Sequence, residues 1–427
     1  MIIIYTPIGY FYIFGHLMSK IFIQIACYRD PELLPTLNSL LSNAKYPEKL
    51  TFGLVWQRNK EDSWDTLGDY SGDKRFRILD IPHDQSGGMG WARSKTQSLF
   101  DGEDYTLQLD SHMRFAKHWD KSLLDMMNYL HKISNKPILT AYAYQYDPQN
   151  DKILPDIPST LKPLAFKKNG ILFFKSFANH KNQYFKPYRA RLVGGHYLLT
   201  LGKHCKEYAY DPNLYYAGDE WTLSVRSYTL GYDLFHPHKN IIWHHYKRSN
   251  HNKHWTDYAT EIINPKEDYN IKRIKQMMGQ EDYGINLENY GLGSVRSLED
   301  YENYSGIYIK DKKILADAML GKEPPLNNKN FMKKFKIQIN NYPQQFILNF
   351  NNRQSLDKIT LDFIALDTTI ICSKNLSIQD ISKSPIIELE HIGQEKPMGY
   401  KLECYHKNES VPKIKVCKDL EPDIQWI

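Results

Sequence analysis

The sequence predicts an α/β protein: a Rossmann-like domain on a mostly parallel sheet, followed by a small all-β domain. Three observations carry this. A continuous apolar run of strand length stands at residues 21–28, and further strand-like segments follow at 50–57 and 75–82. Helical spacing of apolar residues fills the gaps between several of them. Beyond residue 330 the texture changes to alternation with period two. A chain of 427 residues is also too long for one typical core, so more than one domain is expected.

The elements follow in order. Residues 1–20 form an apolar leader interrupted by Pro7, Gly9, Gly15 and His16. It lacks a basic start and a small-residue cleavage site. That pattern predicts an amphipathic or partly disordered leader without stable membrane insertion, open to peripheral association, with a signal peptide or anchor as the alternative. IFIQIACY (21–28) reads as a buried parallel strand. Asp30 and Pro31 then read as N-cap and N1 of a helix carrying Leu33, Leu37, Leu40 and Leu41. Residues 50–57 and 75–82 are the second and third strands. SGGMGWARSKTQSLF (86–100) is a glycine-rich turn opening a helix, and YTLQL (105–109) is the fourth strand. Residues 119–131 predict a helix with Leu123, Leu124, Met127 and Leu130 inward, and 137–146 a single strand. Residues 147–170 predict a long loop over a cleft. Residues 192–200 and 240–246 are further strands, 258–320 is mostly helical, and 321–330 is a Pro- and Asn-containing linker. Residues 335–339, 346–350, 359–366 and 369–373 predict strands of a β-sandwich-like domain over 331–427, with no convincing helix between them.

Composition narrows function by exclusion. Hydrophobic residues make up 41% and charged residues 24%, an ordinary globular balance. The net charge of +6 is scattered, without a basic run interleaved with aromatics, so nucleic acid is not an expected partner. Five widely spaced cysteines without a CxxC argue against a zinc ribbon or disulfide framework and fit a reducing, cytoplasmic setting.

The chemistry concentrates at the end of the fourth strand. Residues two apart in extended chain face the same side, so Asp110 and His112 can address one point. A carboxylate and an imidazole there suit a divalent metal such as manganese. A third ligand is sought among His244 and His245 at the end of NIIWHHY, with His236 and His238 as competitors; alternation lets only one of His244 and His245 face the cleft. The turn GGMGWAR (87–93) offers backbone amides and a helix amino end to a phosphate, with Arg93 as a further donor. Asp219 and Glu220 sit just before an amphipathic helix. There they either cap it or face a reacting sugar.

Residues 90–120, 191–200, 215–248 and 290–307 together resemble the GlcNAc-transferase family, over roughly residues 20–310. More distantly the chain is similar to the polypeptide N-acetylgalactosaminyltransferases. The resemblance implies a GT-A domain over residues 21–320, a UDP-sugar donor and retention at the anomeric carbon. It implies Mn²⁺ or another divalent cation held by Asp110, His112 and His244. Tyr28, Arg29, Arg93, Asp110, Ser111, Gly194, Gly195 and His196 would contact the donor, and Asp219 and Glu220 would be catalytic. The expected reaction moves N-acetylglucosamine from UDP-GlcNAc to a protein hydroxyl by front-face displacement. Alternatives are UDP-glucose or UDP-GalNAc used to build a surface glycan, or a silent carbohydrate-binding protein. The residues beyond 330 match no block of the family. They are open to acceptor binding, stability or self-association.

Overall fold

The computed structural model describes residues 19–427 except 149–151, 154–156, 179–184, 249–250, 326–332, 340–341, 354, 365–369, 394–398, 407–411, 413, 420–423 and 427. Residues 1–18 of the expected leader and 326–330 of the expected linker lie outside the described residues. The chain divides into two compact units, Met1–Lys313 and Ile314–Ile427.

The first unit is organised by β1 (Ile21–Tyr28), β2 (Leu50–Arg58), β3 (Phe76–Pro82) and β4 (Tyr105–Leu109). β1 pairs in parallel with both β2 and β4, and β2 with β3. Residues Ile21 to Ile25 of β1 are all buried, because a parallel strand is covered on both faces. Helix α1 (Leu33–Asn43) lays Leu33, Leu37 and Leu40 on the core, and α2 (Met89–Ser98) returns the chain from β3 towards β4. After the short strand β5 (Met113–Phe115), α3 (Trp119–Leu130) buries Trp119, Leu123, Leu124, Met127 and Leu130, the predicted apolar stripe.

The next elements are β6 (Pro137–Thr140), β7 (Tyr144–Asp147), β8 (Lys152–Ile153), β9 (Ser159–Phe166), β10 (Leu172–Ala178), β11 (Tyr188–Arg189) and β12 (Tyr197–Leu201). Then come α4 (Asp219–Thr229), β13 (Asp233–His236), β14 (Ile242–His244) and α5 (Thr260–Met277). The main sheet runs β11-β13-β6-β12-β4-β1-β2-β3, and a smaller one β5-β14-β7-β8. The carboxyl ends of β1 and β4 therefore lie side by side, where open α/β sheets bind ligands.

Four expectations are corrected. Residues 137–146 are two strands in different sheets. β6 pairs with β12 and β13, β7 pairs with β14, and the crossing leaves Tyr142 between them. The expected loop at 147–170 contains β9, which forms an antiparallel hairpin with β10. Its Pro163 stands at the register shift of that hairpin, where a missing amide is tolerated. Residues 192–196 precede β12 rather than beginning it. Residues 346–350 are helical, inside Gln344–Arg353. Ile347 is fully buried while Phe346 is 60% exposed, an asymmetry that five residues of alternating pattern do not reveal.

The second unit contains a four-stranded antiparallel sheet of Ile370–Leu376, Leu356–Ile364, Gly399–His406 and Ile414–Asp419. A three-stranded sheet joins Ile387–Gly393, Lys333–Ile339 and Ile424–Trp426. Ile359, Leu361, Phe363 and Leu402 form its core together with Ile347, and a second helix spans Ile378–Lys383.

Candidate active site

Asp110 follows β4 directly, and the chain enters β5 three residues later, at Met113. β14 pairs antiparallel with β5, with His244 opposite Met113. The His245 amide also donates to the His112 carbonyl at 3.0 Å. This register brings a residue 132 positions away to His112. The His112 and His244 Nε2 atoms are 3.0 Å apart. Asp110 Oδ2 is 3.3 Å from His244 Nε2 and 3.6 Å from His112 Nε2. Among the described residues this is the one group of three such side chains arranged to hold a metal.

The donor atoms fit a single ion. Ligand bonds of about 2.1 Å at angles of roughly 90–110° place neighbouring donors about 3.0–3.4 Å apart, close to the separations here. Two buried imidazole lone pairs facing a carboxylate are unfavourable without a positive charge among them. Two nitrogens and one oxygen form a donor set of borderline hardness.

Arg93 lies beside this group, 6% exposed. Its Nη1 donates to Tyr210 Oη at 2.8 Å and Asp219 Oδ2 at 2.9 Å, and its Nη2 to Asp110 Oδ1 at 3.3 Å. Burial pushes the Asp219 carboxyl up, against the opposing pull of Arg93. Glu220 takes the Gly195 amide on Oε1 at 2.7 Å and the Tyr142 hydroxyl on Oε2. His196 accepts the Ala143 amide on Nε2 at 3.1 Å, which leaves its proton on Nδ1. Burial pulls it down to about 4, so it is neutral at physiological pH.

Burial raises the Glu220 carboxyl to about 7. A raised carboxyl costs the fold stability once ionised. The cost is absent below the unfolded value of about 4.5, grows as pH rises, and is complete above about 7. Glu220→Gln is therefore expected to melt higher than the wild type at about pH 8, with the gain gone near pH 4. Thermal unfolding at the two pH values checks this; a difference independent of pH would refute it.

A cleft of about 730 Å³ collects Tyr28, Arg93, Asp110, Ser111, His112, His196, Asp219, Glu220 and His244 in its walls. Arg29, Gly194 and Gly195 are not among them. The Arg29 guanidinium is held by Asp62 and Asp257, each at 2.8 Å. Gly194 gives its amide to Thr140 Oγ1 at 2.9 Å. A Cβ on Gly195 would stand 2.6 Å from Arg93 Nη1, so that glycine permits close approach of the guanidinium. The Tyr28 hydroxyl donates to Asp257 at 2.9 Å.

The glycine-rich turn also differs from its reading. The Met89 and Gly90 amides donate to the Tyr215 and Leu214 carbonyls, each at 3.0 Å, and are spent on backbone instead of phosphate. Gly90 is required there, since a Cβ would meet the Leu214 oxygen at 2.3 Å. His245 faces Tyr146 and His251. His236 bonds the Thr140 carbonyl and takes the Leu161 amide. Neither His236, His238 nor His245 belongs to the donor group.

Sequence reasoning missed Asp30, Tyr142 and Tyr210. Asp30 is not the helix cap. The cap position is Glu32, and the Asp30 carboxylate is 3% exposed. Its only signal was its place two residues after β1, at the same end of the sheet as Asp110.

An α/β sheet with a cleft and a possible metal-binding group at its carboxyl edge has the features of an enzyme. The chain belongs to the glycosyltransferase (GlcNAc) family, whose model matches residues 20–74 and 70–311. Its large mixed sheet is in keeping with the GT-A fold expected of that family. No curated protein matches the sequence. Among solved structures, the chain is similar to GalNAc-T7, crystallised with UDP, GalNAc and Mn²⁺. The TM-score is 0.46 at 13% identity, over 67% of this chain and 56% of that one. The chain thus spans just over half the length of GalNAc-T7. It is also similar to S. aureus TarS 1-349 in complex with UDP-GlcNAc, with a TM-score of 0.38 at 12% identity. That match covers 60% of this chain and 65% of that one. Among the described residues, no helix is long and apolar enough to cross a membrane.

Proposed function

We propose that this protein is a metal-dependent, retaining glycosyltransferase that moves N-acetylglucosamine from UDP-GlcNAc to a protein hydroxyl. The observation that carries the reading is the convergence of Asp110, His112 and His244 on one point in a protein of this family. A divalent cation held there, Mn²⁺ in this reading, supplies positive charge to a leaving diphosphate. Around it the chain's own groups have separate tasks. Arg93, tied to Asp219 and Tyr210, presents a fixed guanidinium edge to donor oxygens. Asp219 and Glu220 offer carboxylate oxygens to sugar hydroxyls and to the proton of the attacking acceptor. His196, uncharged, lines the sugar end without adding positive charge. Tyr28 sits at the end of β1, where the nucleoside would rest. The cleft volume is within the usual range for small-molecule sites, roughly 300–1,000 Å³.

UDP release is to be measured with UDP-GlcNAc, UDP-glucose and UDP-GalNAc, each in Mn²⁺ and in EDTA. Products on protein and glycan acceptors are followed by mass. Release from UDP-GlcNAc that stops on chelation is expected. Preference for UDP-glucose or UDP-GalNAc would move the reading to glycan synthesis. Silence with every donor would leave a carbohydrate-binding protein.

A further inference from the structure

We infer that Asp30 is the positioning residue of the metal centre, fixing the tautomer and ring orientation of His112. The inference rests on the metal reading above. Asp30 lies two residues beyond the end of β1 and is buried. Its Oδ2 lies 2.7 Å from His112 Nδ1 and accepts the Ser111 hydroxyl at 2.7 Å. Its Oδ1 accepts the Glu32 amide at 3.0 Å. Arg248 Nη1 and His251 Nδ1 stand at 3.5 and 3.6 Å, so the carboxylate is held in place from several sides.

An ionised carboxylate only accepts hydrogen bonds, so Nδ1 of His112 must carry a proton. The neutral ring then presents Nε2 as a lone pair. That is the atom facing His244 Nε2 and Asp110 Oδ2. A half-turn of the ring would put carbon in both places, losing the Asp30 bond and the ligand together. A carboxylate behind a ligating imidazole also makes its other nitrogen a stronger donor to metal. Asp30 contributes no atom to the proposed donor group; it acts through its bond to His112 Nδ1.

A mere structural anchor would also be buried and well bonded, so the test reads the metal itself. Free Mn²⁺ is measured by electron paramagnetic resonance, without donor or acceptor, in the wild type, Asp30→Asn, His112→Ala and the double variant. Asp30→Asn keeps the shape but can turn its amide NH₂ towards Nδ1, which forces the wrong tautomer. Mn²⁺ affinity is expected to fall about 10–100-fold, while metal-free melting stays near that of the wild type. In the His112→Ala background the same change is expected to cost nothing further. Affinity of Asp30→Asn within about twofold of the wild type, or a full additional loss in the double variant, overturns the inference. Should Asp30→Asn not fold, Asp30→Glu, which displaces the carboxylate by one methylene, is measured by the same criteria. A wild type that binds no Mn²⁺ is a distinct outcome and removes the metal reading itself.

Discussion

Asp110→Ala is expected to cut Mn²⁺-dependent UDP release at least about a hundredfold, equivalent to roughly 2.7 kcal/mol of lost transition-state stabilisation at 1.36 kcal/mol per tenfold. Asp110 is the one carboxylate in the proposed donor group. Without it two imidazoles remain, a set with no formal negative charge and a poorer match to manganese. The loss should be chemical more than structural. The Asp110 side chain is 28% exposed, against 4% for His112 and 6% for His244. Arg93, its neighbour at 3.3 Å, keeps Asp219 and Tyr210 as closer partners. Metal-free melting of Asp110→Ala should therefore stay close to the wild type while release collapses. Release within about tenfold of wild type in an intact fold would sink the metal assignment.

What the sequence disclosed and what it hid divide along the range of the interactions. β1 was legible because burial on both faces demands an apolar run, as in Ile21 to Ile25, and β4 because Leu107 and Leu109 alternate with Thr106 and Gln108. α3 was legible because its stripe repeats within one element. Asp110 and His112 share a strand end, and strand geometry alone predicts that they face one way. His244 was reachable only through the resemblance. The register that selects it over His245 is set by pairing with β5, which no local pattern encodes. Asp30 shows the limit most plainly. Followed by a proline and an amphipathic run, it looked like an ordinary cap. One of its oxygens does take the nearby Glu32 amide, but the other is claimed by Ser111 and His112, more than eighty positions away. The crossing of residues 141–143 between two sheets was hidden for the same reason, and with it the meeting of Tyr142 and Glu220. The amides of Met89 and Gly90 were misassigned because a glycine-rich helix start looks alike whether backbone carbonyls or a phosphate will receive them.

Arg93→Met is expected to destabilise the protein by about 3–5 kcal/mol, the range for stripping one partner from a buried ion pair. Both members are deep inside: Arg93 is 6% and Asp219 2% exposed. Asp219 has two supports, the guanidinium at 2.9 Å and the Tyr210 hydroxyl at 2.7 Å. Burial already raises its carboxyl, and Arg93 is the largest force acting the other way. With methionine in place, the ionised carboxylate stands buried with a hydroxyl alone. Proton uptake then becomes the cheaper solution, which gives the defect a sign with pH. A carboxyl raised in the fold costs stability above its unfolded value, and the cost disappears as pH falls to that value. The gap between Arg93→Met and wild type should therefore be widest near about pH 8 and shrink towards pH 4. A second change makes the cause specific. Asp219→Leu in the Arg93→Met background removes the stranded charge, so the double variant should melt above Arg93→Met although it lacks two buried polar groups. Thermal unfolding of the four proteins across pH reads all three statements. A double variant less stable than either single one would show that packing, and not an uncompensated charge, sets the cost at this position.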